Sequence, residues 1–173
     1  MEKKLIDLQN ISKSYDGQMV LDDLNLYIRE NEFLTILGPS GCGKTTTLRI
    51  IGGFETPDTG TVYFDGKDIQ ALSTREMRAI RGHDISMIFQ DPMSSLNPVL
   101  PIDEQIAELI RLHRHVSRAE AAAQTREILK KVGIQPDRAG EYPHQFSGGM
   151  KQRVVIAMAL ACNPRLLIAD EPT

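Results

Sequence analysis

The chain has 173 residues, of which 41% are hydrophobic and 25% charged, as is ordinary for one globular domain or a core with a small subdomain. Its formal net charge of −3 argues against nucleic-acid binding through bulk positive charge. The longest apolar run, residues 154–162, is far shorter than the ~20 residues of a membrane span, and residues 1–10 do not form a signal peptide. Cys42 and Cys162, without a CxxC spacing, suggest a reducing compartment.

The first half of the chain is predicted to be rich in strands. Alternating polarity predicts strands over 5–11 and 19–28, and the apolar run 32–38 predicts a strand buried on both faces. A helix is predicted from Lys44 to about Gly52, and a short strand between turns over 60–66.

The second half is predicted to be mostly helical between two buried strands. Helix signals are a capping box at residues 73–76, an apolar face from Ile102 to Ile110, and a second capping box at residues 117–120. Residues 85–89 and 166–169 are predicted strands, 91–101 a loop, and 150–162 an apolar helix. This pattern indicates a helical insertion in an α/β core.

The segment "GPSGCGKTT", 38–46, fits the spacing G-x-x-x-x-G-K-[ST] between a predicted strand and a predicted helix. Glycines let backbone amides surround phosphate oxygens, and a helix N-terminus adds positive potential. Lys44 can reach the outer phosphates and the Thr45 hydroxyl can ligate Mg²⁺. A glycine-rich turn with an incidental lysine is the alternative, which the flanking elements disfavour.

Two acids follow the last predicted strand, in "LLIADEPT", 166–173. A carboxylate at the tip of a neighbouring parallel strand can complete the magnesium shell, and Asp170 fits that role. Glu171 leaves the strand on the opposite face and is a candidate general base for the attacking water. Without the phosphate loop, a polar strand end would be the better interpretation.

A second anion site is predicted at "HQFSGGMKQR", 144–153. Ser147 is a good helix N-cap, but Gly148 and Gly149 weaken a first helical turn, and Lys151 and Arg153 add positive charge to a positive helix end. An anion docked there explains both features. Because the chain has one phosphate loop, a second site suggests the ATP of another copy, in a head-to-tail pair.

Together these segments resemble the ATP-binding subunits of ABC transporters. "GPSGCGKT" resembles the Walker A motif, "FSGGM" the signature motif and "LLIADE" the Walker B motif; Gln90 stands at the Q-loop glutamine and Tyr15 where the family stacks an aromatic ring on adenine. Phe146 and Met150 depart from the family's commonest Leu and Gln. The resemblance implies ATP and Mg²⁺ as cofactors, and a second ATP-binding subunit and transmembrane permease subunits as partners, with no nucleic acid.

The resemblance implies an α/β P-loop core with an N-terminal antiparallel β subdomain and a helical subdomain. The expected organisation is residues 1–90 for the β subdomain and the Walker A part, 91–149 for the helical subdomain, and 150–173 for the signature helix and Walker B strand. It also implies three groups of site residues. The catalytic group is Glu171, Gln90 and Lys44. The metal group is Thr45, Gln90 and Asp170. The nucleotide group is Tyr15, Gly38, Pro39, Ser40, Gly41, Cys42, Gly43, Lys44, Thr45, Thr46, Ser147, Gly148 and Gly149.

The family carries a further strand and a switch histidine after Walker B, so the C-terminal part of the core is expected to be missing and hydrolysis to be weak. Residues 1–67 resemble polyamine importer ATPases, whereas the chain from about 71 resembles oligopeptide or dipeptide importer ATPases, which suggests a chimera. The leading hypothesis is an importer ATPase subunit at the cytoplasmic membrane face. The alternatives are a nucleotide-binding fragment with no transport role, and a soluble ABC-type ATPase acting on ribosomes or DNA.

Overall fold

The computed structural model describes residues 3–89 and 95–171, and the chain divides into two compact units between Arg78 and Ala79. Among these residues no helix is both long and apolar enough to cross a membrane.

The first unit is built on a four-stranded antiparallel sheet, in the order β2-β1-β3-β4. Alternation decides its two faces: Ile6 and Leu8 of β1 and Val62 of β3 are buried, whereas Asp7 between them is not. The elements are β1 Lys4–Tyr15, β2 Gln18–Arg29, α1 Lys44–Ile51, β3 Thr59–Phe64, β4 Lys67–Asp68 and α2 Thr74–Ile80. The predicted strands over 5–11, 19–28 and 60–66 and the helix from Lys44 are therefore confirmed.

The β1–β2 hairpin closes through a two-residue turn. Tyr15 pairs with Gln18, and Asp16 and Gly17 between them both have positive φ, 49° and 80°. Two left-handed residues at this position match a type I′ turn, whose twist suits the flanking strands. The turn fixes Tyr15 at the end of its strand.

The predicted strand over 32–38 is wrong. Residues 32–38 form no strand and pair with none of the strands in the two described ranges. Phe33 and Leu37 are 93% and 86% exposed instead of buried. A strand exists through hydrogen bonds to its neighbours, so an apolar run without a paired neighbour gains nothing from an extended conformation.

The second unit combines three main helices with a parallel strand pair. Ile85 of β5 pairs with Leu166 of β6, and the pairing continues to Ile88 and Ala169. The elements are β5 Ile85–Ile88, α3 Ile102–Arg114, α4 Arg118–Lys131, the short 3₁₀ turns Pro136–Arg138 and Pro143–Gln145, α5 Gly148–Leu160 and β6 Leu166–Ala169. These bounds confirm the predicted helices and strands, and α5 begins two residues earlier than predicted. The predicted burial of the second strand is only half right, because alternate residues of β6 are exposed, Leu167 at 42%.

Local capping and one apolar core explain the helices of this unit. Ser117 and Glu120 form the predicted capping box at the start of α4, which contributes about 1 kcal/mol to helix stability. Ile102, Ile106 and Ile110 of α3 are fully buried in a core shared with α4 and α5. The apolar face of α3 thus packs where its spacing predicted.

Candidate nucleotide site

The predicted phosphate loop, residues 38–46, leads directly into α1. Gly41 and Gly43 both lie in the left-handed region, with φ of 81° and 88°. A Cβ on Gly43 would come within 2.7 Å of Leu21 Cδ2 and 3.0 Å of the Val20 carbonyl oxygen, so no side chain fits there. The loop therefore requires glycine at both positions, and β2 sets how closely the start of α1 can approach the sheet.

Lys44 is the first residue of α1, and its side chain folds back over the loop. Its Nζ donates to the carbonyl oxygens of Gly38, at 2.5 Å, and Pro39, at 2.9 Å. Both acceptors are backbone groups of the loop itself, which lies at the surface. The Lys44 ammonium therefore lies against the backbone of the loop.

The start of α1 presents hydrogen-bond donors. The first amides of a helix have no carbonyl within the helix to accept from them, and here the amide of Thr47 donates to Gly43 O at 2.8 Å. No acidic residue lies in the first turn. Amides, the Lys44 ammonium and the hydroxyls of Thr45 and Thr46 suit an anion that only accepts hydrogen bonds, so the loop fits a nucleotide's phosphates. Ser40 and Cys42, also in the predicted nucleotide group, are exposed loop residues.

Tyr15 lies in the same unit as the loop. Its ring is 41% exposed, and the Lys13 ammonium stands 5.2 Å from the ring centroid. Lys13 is itself held by Glu55 at 3.0 Å and by Asp58 at 3.3 Å, and their hydrogen bonds raise the pKa of Lys13. Tyr15 pairs with Gln18, which precedes Leu21 on β2 by three residues, roughly 10 Å of strand. Because Leu21 lies beside Gly43, Tyr15 is roughly this far from the loop along the hairpin.

The predicted acids follow β6 in the second unit. The Asp170 amide donates to the Ile88 carbonyl at 2.9 Å, so Asp170 continues the parallel pairing past the strand end. Its side chain is 4% exposed, whereas Glu171 is exposed and has a positive φ of 47°. The two acids therefore differ in environment, and Glu171 lies beyond the strand end in a left-handed conformation.

Gln90, predicted both as a catalytic residue and as a metal ligand, lies outside the described residues. The strand that precedes it, β5, is the parallel neighbour of β6. The carboxyl ends of parallel strands share one edge, so Phe89 and Asp170 both leave the sheet at that edge. Carboxylate oxygens are among the ligands that Mg²⁺ prefers, and Asp170 supplies such a group at this edge.

The predicted signature segment forms the start of α5. The Ser147 hydroxyl accepts from the Met150 amide at 3.4 Å and so caps the helix. Ser147, Gly148 and Gly149 are exposed, and a Cβ on either glycine would meet no atom within 4 Å. Open space in front of a helix N-terminus leaves room for an anion to approach its amides.

The two cations of this segment, Lys151 and Arg153, have different surroundings. Arg153 Nη1 donates to the Gly133 carbonyl at 3.4 Å, which directs its guanidinium toward the end of α4. Lys151 is half-buried in the first turn of α5. The expectation that both cations add attraction for an anion therefore depends mainly on Lys151.

Sequence reasoning missed one residue beside the signature segment, Arg138. Its guanidinium makes two hydrogen bonds to Glu141 and stacks on Phe146, with Cζ 4.8 Å from the ring centroid. The spacing of Arg138 and Glu141, three apart, was the available signal, but it is common on protein surfaces.

A glycine-rich loop that opens a helix and an acid at the end of a parallel strand are both features of P-loop nucleotide-binding domains. Residues 21–173 match the family model described as ABC transporter, and the chain belongs to this family.

Curated relatives cover nearly the whole chain. A probable peptide ABC transporter ATP-binding protein of Sinorhizobium fredii, y4tR, is 46% identical over 98% of this chain and 54% of its own length. The oligopeptide transport ATP-binding protein OppD of Bacillus subtilis is 44% identical over 98% of this chain and 51% of its own length. The chain thus spans about half the length of the curated relatives it matches. Each alignment covers both halves of the chain and gives the chimera hypothesis no support.

A solved structure shares the fold. The ATP-binding cassette MJ0796, in a dimeric post-hydrolysis state bound to ADP and Pi, matches with a TM-score of 0.88 and 37% identity, over 97% of this chain and 74% of that chain. The predicted α/β P-loop fold, with an antiparallel β subdomain and helices, is therefore confirmed.

Proposed function

We propose that this chain binds MgATP as the nucleotide-binding part of an ABC importer subunit that powers the uptake of peptides. The observation that carries the proposal is the loop 38–46, in which left-handed glycines and the Lys44 ammonium stand at the start of α1. Its donors suit the terminal phosphates of a nucleotide, and the chain belongs to a family of ABC transporters.

In the proposed complex the phosphates replace the carbonyls of Gly38 and Pro39 as acceptors for Lys44. The residues of 38–46 supply amides, and Tyr15 stacks on the base, at a distance from the loop comparable with the span of one nucleotide. Thr45 and Asp170 would hold the magnesium ion, together with Gln90 as predicted. The ion supplies charge neutralisation for the phosphates.

Two copies are proposed to pair head to tail. The exposed segment Ser147–Gly149 of one copy then contacts the nucleotide held by the loop of the other, which accounts for a second helix N-terminus open to an anion. The relative MJ0796 was solved as a dimer with ADP and Pi, which supports the pairing. A homodimer and a heterodimer are both compatible with this arrangement.

Hydrolysis is proposed for the whole protein, with Glu171 accepting a proton from the attacking water. Glu171 is exposed and so can reach water, whereas Asp170 is buried and suits a fixed ligand. The prediction that this chain hydrolyses ATP only weakly is tested by measuring phosphate release. A release rate clearly above background that is lost in Glu171→Gln would contradict weak hydrolysis.

Peptides are the proposed cargo because the relatives described above are named as peptide and oligopeptide transporters. Transmembrane permease subunits are the proposed partners, at the cytoplasmic face of the membrane. A polyamine as cargo follows only from the resemblance of residues 1–67. Aligning residues 1–67 and 71–173 separately tests the chimera hypothesis, which requires different best relatives for the two parts.

The direct experiment is titration of the chain with ATP, with and without Mg²⁺, for the original sequence and Lys44→Ala. We expect magnesium-dependent binding that weakens at least tenfold in Lys44→Ala. Lys67→Ala, which removes an exposed lysine of β4 in the same unit, is the matched control and should bind like the original. Equal affinity in both variants would refute the role of Lys44.

A second candidate is a nucleotide-binding chain with little hydrolysis and no transport role. Its basis is that the chain covers only about half the length of the relatives named as peptide transporters. Co-expression with the permease subunits of a peptide importer separates the candidates. Retention of the chain on purified permeases supports the importer, and its complete loss under the same conditions supports the second candidate.

A further inference from the structure

Arg138 makes four hydrogen bonds near the start of α5. Its Nε and Nη2 donate to the two carboxylate oxygens of Glu141, at 2.9 and 2.5 Å. Nη2 also donates to the Gln145 carbonyl at 3.3 Å, and Nη1 to the Met150 sulfur at 3.3 Å. One face of the guanidinium lies on the ring of Phe146. A planar fork with several donors suits this set of contacts, which a lysine could not reproduce.

These contacts fall on both sides of the exposed segment Ser147–Gly149. Phe146 precedes it and is 4% exposed, and Met150 follows it. The Met150 amide also donates to the Ser147 hydroxyl, so Met150 is held through its backbone and its sulfur. Ser147–Gly149 thus connects Phe146 and Met150, and both of these residues contact the Arg138 guanidinium.

The same connection is anchored to α3. The amides of Ile102 and Asp103 donate to the carbonyls of Glu141 and Ala139, at 3.0 and 2.9 Å. The Glu141 carboxylate therefore accepts hydrogen bonds from Arg138, and the Glu141 carbonyl accepts one from the start of α3. The start of α5 is held relative to the start of α3, and Arg138 is the side chain that completes the link.

The two residues where this chain departs from the commonest ABC signature pattern meet at this guanidinium. Phe146 offers an aromatic face, which attracts a guanidinium through its quadrupole, and Met150 offers a polarisable sulfur. A leucine at 146 has no such face. Phe146 and Met150 therefore share Arg138 as a contact partner.

We propose that Arg138 is a positioning residue for the second anion site, and that Phe146 and Met150 act through it to fix the start of α5. This proposal rests on the proposed function, in which Ser147–Gly149 of one copy contacts the nucleotide of another. Arg138 itself touches no nucleotide in this arrangement. Its hydrogen bonds also lower the pKa of the Glu141 carboxyl, so the pair stays ionised in mildly acidic solution.

The first test is amide hydrogen exchange of the chain alone. In Arg138→Gln we expect the Met150 amide, capped by Ser147, to exchange about three- to tenfold faster, with no change in β1–β3. Arg126→Gln, at an exposed position of α4, is the matched control and should exchange like the original sequence. Unchanged exchange at residues 147–150 in Arg138→Gln would overturn the proposal.

The second test is a double-mutant cycle that a general loss of stability would not reproduce. Phe146→Leu should speed exchange at Met150 by about threefold in the original sequence, and should have no further effect once Arg138 is Gln. Arg138→Lys should rescue the exchange only in part, because lysine lacks the planar fork. Additive effects of Arg138→Gln and Phe146→Leu would show that the two residues are not coupled, and would overturn the proposal.

A third measurement separates this proposal from the proposed function. MgATP affinity at the loop 38–46 should be unchanged in Arg138→Gln, while ATP-dependent self-association should weaken about tenfold. If the original sequence does not bind MgATP, the proposed function is refuted. The hydrogen-exchange rates at Met150 would still decide the role of Arg138. Full ATP-dependent association of Arg138→Gln would overturn the proposal.

Discussion

The substitution Gly43→Ala tests how tightly the phosphate loop is fitted to β2. Gly43 has a φ of 88°, and a Cβ there would lie 2.7 Å from Leu21 Cδ2. Left-handed backbone costs an alanine roughly 1–2 kcal/mol, and overpacking a close contact adds roughly 1–3 kcal/mol. We expect Gly43→Ala to lose about 2–5 kcal/mol of unfolding free energy.

Gly41→Ala is the matched control. Gly41 has a similar φ of 81°, but a Cβ there would meet no atom within 4 Å, so only the backbone cost of roughly 1–2 kcal/mol applies. Urea unfolding followed by far-UV circular dichroism measures both variants, with the dependence on denaturant compared between them. A loss in Gly41→Ala equal to or larger than that in Gly43→Ala would refute the proposed contact with β2.

The remaining predictions concern pH, capping and exposure. Burial, together with the neighbouring His83 and His115, lowers the pKa of His113 from 6.5. Below pH 6.5 the unfolded chain therefore takes up more protons, so stability should fall as the pH drops from 7 to 5. The loss of unfolding free energy between pH 7 and 5, measured by urea unfolding, should be smaller in His113→Gln. An unchanged loss would contradict the lowered pKa of His113. Ser117→Ala removes the capping box of α4 and should cost about 1 kcal/mol in the same assay, whereas a change below 0.3 kcal/mol, roughly, would count against the cap. Phe33→Ser should change stability by less than about 0.5 kcal/mol because the side chain is 93% exposed; a loss of roughly 2 kcal/mol would show that it is buried.

The parts of the fold that depend on local chemistry were predictable from the sequence. Ser117 and Glu120 form their capping box through residues three apart, and Ile102, Ile106 and Ile110 share one face of a helix by spacing alone. The left-handed glycines of the loop 38–46 were predictable for the same reason, since that conformation is dictated by residue type. Phosphate binding by this loop stays a prediction.

The parts that depend on distant partners were not predictable. Residues 32–38 have the composition of a buried strand, yet a strand requires neighbours that composition does not specify. Arg138 was missed although its partners lie within 12 residues. Its contacts depend on the 3₁₀ turn Pro143–Gln145, which brings Phe146 and the later Met150 back beside the guanidinium.

The most direct test of the account is hydrogen exchange of this chain with and without MgATP. Binding at the loop should slow exchange of the amides in residues 38–46, whose donors then contact phosphate oxygens, and the slowing should disappear in Lys44→Ala. Exchange of residues 38–46 that stays the same at saturating MgATP would contradict the claim that this loop holds the nucleotide.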